Sequence, residues 1–335
     1  MYKSKIDTYI RYILGSNSCN VNRNGKIDSI KSVLIILMVL GHVLNYSLYG
    51  LNQGFHNFIY SFHMPLFIFI SGIYSKTSEI SKLKRQVFFL LLTTIVFQFL
   101  YLRNLNLENW IRPYWILWYI FSLAIWKLIL FLFYRHIRIK QALITSFCIG
   151  LSAGFLPVGY DFSLSRILVF LPFIVLGFFI STEELFEKIK KIKYYWAILL
   201  LISLGLIFIF YRNLEILPLL KGSFNYYDLK LVSVSEGFIL RLIYYVISIL
   251  ISCCIIRLTP LLPLYFRKIG QNSLFIYLFH GFFVAYLGER GFFSLYPNVI
   301  FASLCTFIIV FIIEFIRMNI LNIYNFLYRN ICNED

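Results

Sequence analysis

Charge is what this chain is short of. Asp, Glu, Lys and Arg make up only 14% of it, against roughly a quarter in soluble domains, while 60% of its residues are hydrophobic. A water-soluble chain of 335 residues has no core large enough to hide that much apolar surface, so a soluble fold is excluded. Acids are scarcer than bases, and the formal net charge is +16. The cations sit between apolar runs and not in one polar domain, so they report topology and no nucleic-acid partner is expected. The cysteines (Cys19, Cys148, Cys253, Cys254, Cys305 and Cys332) show no CxxC pair and no even framework; four lie inside apolar runs, where they read as small hydrophobes. No glycine-rich phosphate loop is present, which argues against nucleotide hydrolysis. There is no Gly-x-Ser-x-Gly, no Cys/His arrangement and no metal-ligand spacing, so no metal is expected. Residues 1–30 lack an apolar stretch ending in small residues, so no cleavable signal peptide is expected and the first span serves as the insertion signal.

What is there is a series of apolar runs, at about 32–49, 57–75, 86–102, 114–133, 142–158, 166–181, 195–211, 236–256, 272–287 and 298–316. Each is near the ~20 residues that cross ~30 Å of hydrocarbon as a helix. They are too long and too uniformly apolar for barrel strands. The expectation is an all-α, polytopic integral membrane protein with about ten transmembrane helices. With the N-terminus placed in the cytosol, 22 of the 31 Lys and Arg fall on the inside and 8 on the outside, with Lys127 within a span. This positive-inside bias puts both termini in the cytosol. Ile6, Tyr9, Ile10, Ile13 and Leu14 recur at helical spacing among basic residues, the pattern of a short interfacial helix. The organisation expected is a cytosolic or interfacial segment 1–25, one membrane domain 26–318, and a short cytosolic tail 319–335.

Polar chemistry inside the first span is the informative feature. Asp28 and Lys31 are followed, eleven positions after the lysine, by His42. Eleven residues turn an α-helix by about 1100°, three turns plus about 20°, and rise about 16 Å. Lys31 and His42 therefore share a face, the lysine at the cytosolic interface and the histidine near mid-bilayer. An ionisable group at that depth is a functional candidate. A neutral histidine keeps a basic nitrogen suited to taking a proton from a hydroxyl. The structural alternative is a buried histidine tied to a neighbouring helix by a hydrogen bond.

The run KIDSIKSVLIILMVLGH resembles the first helix of the acyltransferase-3 family, a basic residue, ten others, then histidine. FIYSFHMPLFIFISGIYSK is similar to that family's second helix, in its branch related to fucose 4-O-acetylases. WILWYIFSL, SRILVFLPFIVLGFF and IGQNSLFIYLFHGFF resemble later motifs in the same order, and the resemblance covers about residues 26–318.

The resemblance implies a membrane O-acyltransferase that moves an acetyl (or succinyl) group from cytosolic acyl-CoA, acetyl-CoA above all, to a hydroxyl of a cell-surface glycan or lipid-linked oligosaccharide. Polysaccharide O-acetylation in the cell (plasma or inner) membrane is the expected setting. His42 would be the catalytic histidine and Lys31 its basic partner. The family usually has Arg at the Lys31 position; lysine keeps the point charge and loses bidentate geometry. Lys82 and Arg85, in KLKR, align with a family arginine pair of which this chain keeps one. Together with Lys31 they are expected to hold the nucleotide phosphates of CoA. A family glutamate after the tryptophan motif is missing from WILWYIFSLAIW. For the acceptor, His63, Trp118, Arg166 and His280 are candidate contacts. Their structural alternatives are helix–helix hydrogen bonding for His63 and His280, an interfacial aromatic for Trp118 and a snorkelling cation for Arg166. His56 and His136 are expected in loops without a specific role. Direct attack of the hydroxyl and a transient acyl-histidine both remain open. The alternative function is a polysaccharide or lipid-sugar transporter, against which stands the lack of paired half-repeats.

Overall fold

The computed structural model describes residues 7, 9–11, 13–15, 24–102, 111–157, 159–213, 216–223, 225–227 and 233–332. Ile6 and Cys19 lie outside them. Every regular element among the described residues is helical. Each of the ten apolar runs contains helix: α1 (Gly25–Leu44), α2 (Leu51–Ile73), α3 (Ile80–Leu102), α4 (Trp118–Leu132), α5 (Ile139–Ser152), α6 (Leu164–Val169) with α7 (Leu171–Phe179), then α9 (Tyr194–Phe210), α11 (Val234–Leu258), α13 (Ser273–Glu289) and α14 (Val299–Cys332). Between them lie the short helices α8 (Thr182–Lys190), α10 (Leu217–Lys221) and α12 (Leu264–Gln271).

By length and composition five of these cross a membrane: Gly25–Leu44, Ile80–Leu102, Trp118–His136, Val234–Leu258 and Val299–Phe326. Counting each bent pair, α6 with α7 and α8 with α9, as one span raises this to seven. The chain is a multi-pass helical membrane protein. The α2 helix has 23 residues, enough to span, but Asn52, Gln53, His56, Asn57, Ser61 and His63 dilute its apolar character.

The chain forms two compact units, Met1–Asn52 with Thr259–Asp335, and Gln53–Leu258. In the first, α1 lies against α12, α13 and α14. Two thirds of its apolar window is buried (67%), against 33–44% in the other four candidate spans. It starts earlier than its apolar run because Asn24 caps it, its side chain accepting from the N–H of Lys26 at 3.0 Å and Ile27 at 3.2 Å. Asp28 in the first turn also suits the positive end of the helix dipole. Gly270 brings α12 directly onto α1, where any Cβ would collide with the Asp28 carbonyl. Ser32 joins the two, donating to Phe266 O at 2.7 Å and accepting from Gly270 N at 2.9 Å. The N-terminal segment is held by protein: the Arg11 guanidinium contacts Asp7 and the Tyr324 ring, and Leu14 O accepts from Arg317 Nη1 at 2.7 Å. The α14 helix runs on through residues expected in the tail, to Cys332.

In the second unit, α3 pairs with α4, α5 with α7, and α9 with α11. The α2 and α7 backbones meet at Gly72 and Gly177, where added methyl groups would strike Ile174 O and Phe69 O. The α6 and α7 helices are one run broken by 54° at Phe170, ahead of Pro172, which brings no N–H to the helix. Side chains take up carbonyls of the broken turn: Trp126 Nε1 donates to Ile167 O at 2.9 Å, and Tyr245 Oη to Val169 O at 2.7 Å. The α8 helix meets α9 at 90° and is capped by Ser181, with Glu183 and Glu184 first, Lys188 and Lys190 last, and only Leu185 and Ile189 buried, the composition of an interfacial helix.

Candidate active site

In the first unit, α1 carries Lys31 and His42, both half-buried, near opposite ends of its length. His42 meets His280 of α13, their ring centroids 5.3 Å apart and their planes inclined by 27°. His280 is fully buried, and its Nδ1 lies 2.7 Å from Tyr277 O and 3.2 Å from Ile276 O. A carbonyl oxygen only accepts, so Nδ1 is the protonated nitrogen, and in the neutral ring Nε2 carries the lone pair. Two ionisable rings from distant parts of the sequence thus stack where one neutral base next to another chemically able ring can manage a proton. At its first turn, α1 is anchored by Asp28, whose carboxylate accepts from Gln271 Nε2 at 3.1 Å.

The same unit contains an ion pair that the sequence reading passed over. Glu314 and Arg317 of α14 are both buried, with Arg317 Nη2 2.6 Å from Glu314 Oε1 and Nε 2.8 Å from Oε2. Asn272 Nδ2 adds a third donor to Glu314 at 2.9 Å. The signal was available, since Glu314 is an acid inside the last apolar run, with a cation one turn on.

In the second unit the other candidates fall into three places. Lys82 lines an open cavity of about 520 Å³ together with Lys76, Thr77, Ser78, Glu79, Arg135 and Phe178. Arg85 is exposed on α3 and is not among that lining. Trp118 and Arg166 come together: the guanidinium carbon sits 4.8 Å from the Trp118 ring centroid and 5.1 Å from that of Tyr160, and Arg166 Nε donates to Lys221 O at 3.1 Å. Trp118 also stacks on Phe170 at 5.5 Å. His63 is buried, its Nδ1 donating to Ile59 O at 2.8 Å within its own helix.

The loop expectation for His56 is corrected. It lies within α2, is fully buried, and stacks on Tyr60 with centroids 4.1 Å apart. The helix begins at Leu51 because polar residues of its first turns are buried by neighbouring protein, information that an apolar run does not carry. His136 sits in a short 3₁₀ turn at Tyr134–His136 and is exposed. Among the described residues, no group of three or more His, Cys, Asp or Glu is arranged to hold a metal ion.

Against known proteins, the chain is similar to Nodulation protein NolL of Mesorhizobium japonicum, 38% identical over 76 residues, 20% of each chain. It is also similar to Nodulation protein NolL of Sinorhizobium fredii, 43% identical over 63 residues, 16% of this chain and 17% of the relative. The matched stretch thus spans about a fifth of the length of these curated relatives. No solved structure matches it significantly. The family match is far broader, running over residues 24–316 as an acyltransferase domain, and by it this chain belongs to the acyltransferase-3 family.

Proposed function

We propose that the chain is an O-acyltransferase of the fucose 4-O-acetylase-like branch. It moves an acetyl (or succinyl) group from acyl-CoA to a hydroxyl of a cell-surface or lipid-linked carbohydrate, in the cell (plasma or inner) membrane. The observation that carries this reading is the His42–His280 stack on the helix that opens the family match. His42 takes the proton of an acceptor hydroxyl as its oxygen attacks the thioester carbonyl. The C–S bond breaks, the acyl group passes to oxygen, and the CoA thiolate leaves and takes the proton back from the His42 imidazolium. His280, with its proton committed to backbone carbonyls, holds the face of His42 and leaves that ring to act as the base.

For the donor, Lys31 and Lys82 supply point charges for phosphate, and Arg85 a planar fork. Lys82 has Lys76 and Arg135 beside it in a cavity of about 520 Å³, room for a phosphorylated headgroup. The acceptor is assigned to Trp118 and Arg166, an aromatic face and a cation in contact. His63 remains a candidate acceptor contact as well. About ten spans with both termini in the cytosol complete the proposal, on the strength of the cation bias.

The test is direct. The purified chain in lipid nanodiscs is given acetyl-CoA and the lipid-linked and surface glycans of its host, with release of free CoA and mass of the glycan followed together. Acetyl addition matched by CoA release is the expected outcome. Glycan movement across the membrane when the same chain is reconstituted into sealed vesicles, without any mass change, would replace the enzyme with the transporter.

A further inference from the structure

We propose that the neighbourhood of Arg166 and Lys221 is a subsite for an anionic sugar, so that the acceptor brings a carboxylate or phosphate group of its own. The inference rests on the carbohydrate-acceptor reading and adds the charge of the substrate to it.

The geometry is contained within the second unit. Arg166 Nε donates to the backbone carbonyl of Lys221, which brings two cations onto adjoining segments. Ser165 Oγ donates to Gly222 O at 2.9 Å, and Gly222 turns the chain with φ +64, so the C-terminal end of α10 is tied to α6 by two successive contacts. The ammonium of Lys221 is half-buried and has no carboxylate within ion-pair distance among the described residues. Asp161, next to Tyr160, is occupied by Arg112 at 2.5 Å. Burial first, and then the charge of Arg166, hold the Lys221 amine below the usual lysine value. Like charges brought together at a partly desolvated place are costly, and a bound anion offsets that cost.

A second observation points the same way. In the same unit His56 is fully buried and its Nε2 has no hydrogen-bond partner among the described residues. Next to Gly222, Ser223 is buried with its Oγ also unpartnered. Buried polar atoms are nearly always satisfied, so these unsatisfied ones, one of them two residues from the unneutralised Lys221, suit a polar ligand. Tyr160, 40% exposed, provides the aromatic surface that a sugar ring uses, and the buried Trp118 lies against the same Arg166 guanidinium. A neutral sugar would meet the rings and leave the ammonium unneutralised.

The experiment is a binding measurement on the full chain in phosphatidylcholine nanodiscs, without acyl-CoA. Thermal unfolding is followed against glucose, glucose 1-phosphate, glucuronate and inorganic phosphate. Both anionic sugars are expected to raise the Tm, while glucose does not. Lys221→Glu and Lys221→Gln should weaken the apparent affinity by about 10- to 100-fold, and Lys221→Arg should retain it. Equal responses to glucose and glucuronate overturn the proposal, as does wild-type affinity in Lys221→Gln. Inorganic phosphate acting as strongly as the sugar phosphate overturns it in favour of a bare anion. Stabilisation only when phosphatidylglycerol is added to the discs overturns it in favour of a lipid headgroup. With no acyl donor present, a failure here leaves acyl transfer standing, and absence of transfer leaves this subsite standing.

Discussion

His42 and His280, separated by most of the sequence, lie face to face with ring centroids 5.3 Å apart. One ring is half-buried and the other wholly enclosed, its Nδ1 proton held by Tyr277 O at 2.7 Å. The enclosed ring cannot turn without giving up that bond. It therefore presents a fixed face against which the His42 ring is set.

Removal of the ring that does the proton transfer should be decisive. His42→Ala is expected to lower acyl transfer by about 10²- to 10⁴-fold, as loss of a general base does. Abundance in the membrane should stay near that of the parent, because His42 is only half-buried. Mass spectrometry of the purified glycan reads the outcome, and full acylation in this variant would remove His42 from the chemistry.

His280 acts through its neighbour, and its replacements should separate face from proton. His280→Ala removes the surface that sets His42, and a misplacement of about 1 Å costs about 10²-fold in kcat. His280→Phe restores a flat ring without titratable nitrogen and should recover part of that loss, with KM for the acceptor little changed in both. If Phe is no better than Ala, the stacking face is not what matters.

Lys31 should affect the donor and not the acceptor, since CoA brings the phosphates. Lys31→Glu is expected to weaken acyl-CoA binding strongly, whereas Lys31→Arg is tolerated. Calorimetric titration of acetyl-CoA into each purified variant checks this. Unchanged affinity in Lys31→Glu would take the residue out of the donor site.

The Glu314–Arg317 pair makes a stability prediction. Arg317→Met leaves the buried Glu314 carboxylate with only the Asn272 amide donating to it among the described residues and should cost about 3–5 kcal/mol. Replacing both residues by methionine should cost clearly less, because no charge is left stranded. Thermal unfolding in detergent across the double-mutant cycle measures the difference.

The proposed orientation can be read from a single exposed position. Tyr49, 69% exposed in the turn between α1 and α2, is expected outside the cell. In a chain with its own cysteines replaced, Tyr49→Cys should react with an impermeant maleimide on intact cells. Labelling only after lysis would invert the topology.

Much of the architecture was legible because apolar runs report lipid-facing and core-facing residues alike. Each of the ten contains helix, and Lys31 and His42 both lie on α1. Helix ends were read less well, since α1 is started by the Asn24 cap and not by hydropathy. His56 was misread because its burial depends on neighbours distant in sequence. His280 was singled out as a candidate, but its stacking on His42 depends on α13 packing against α1, a tertiary fact without a local signature. Glu314 was the opposite case, visible in its apolar run and passed over.

The break between α6 and α7 bears on how the protein is made. A membrane offers no donors for the carbonyls of a bent turn, so that turn depends on Trp126 of α4 and Tyr245 of α11. Trp126 leaves the ribosome before the break and is already at hand. Tyr245 is encoded 76 residues after Val169, the carbonyl it bonds. For the time it takes to synthesise that stretch, the kink is only half supported, and it needs either water or an insertion partner of the cell beside it. Completion of α11 is thus the moment at which this part of the chain can be released into lipid.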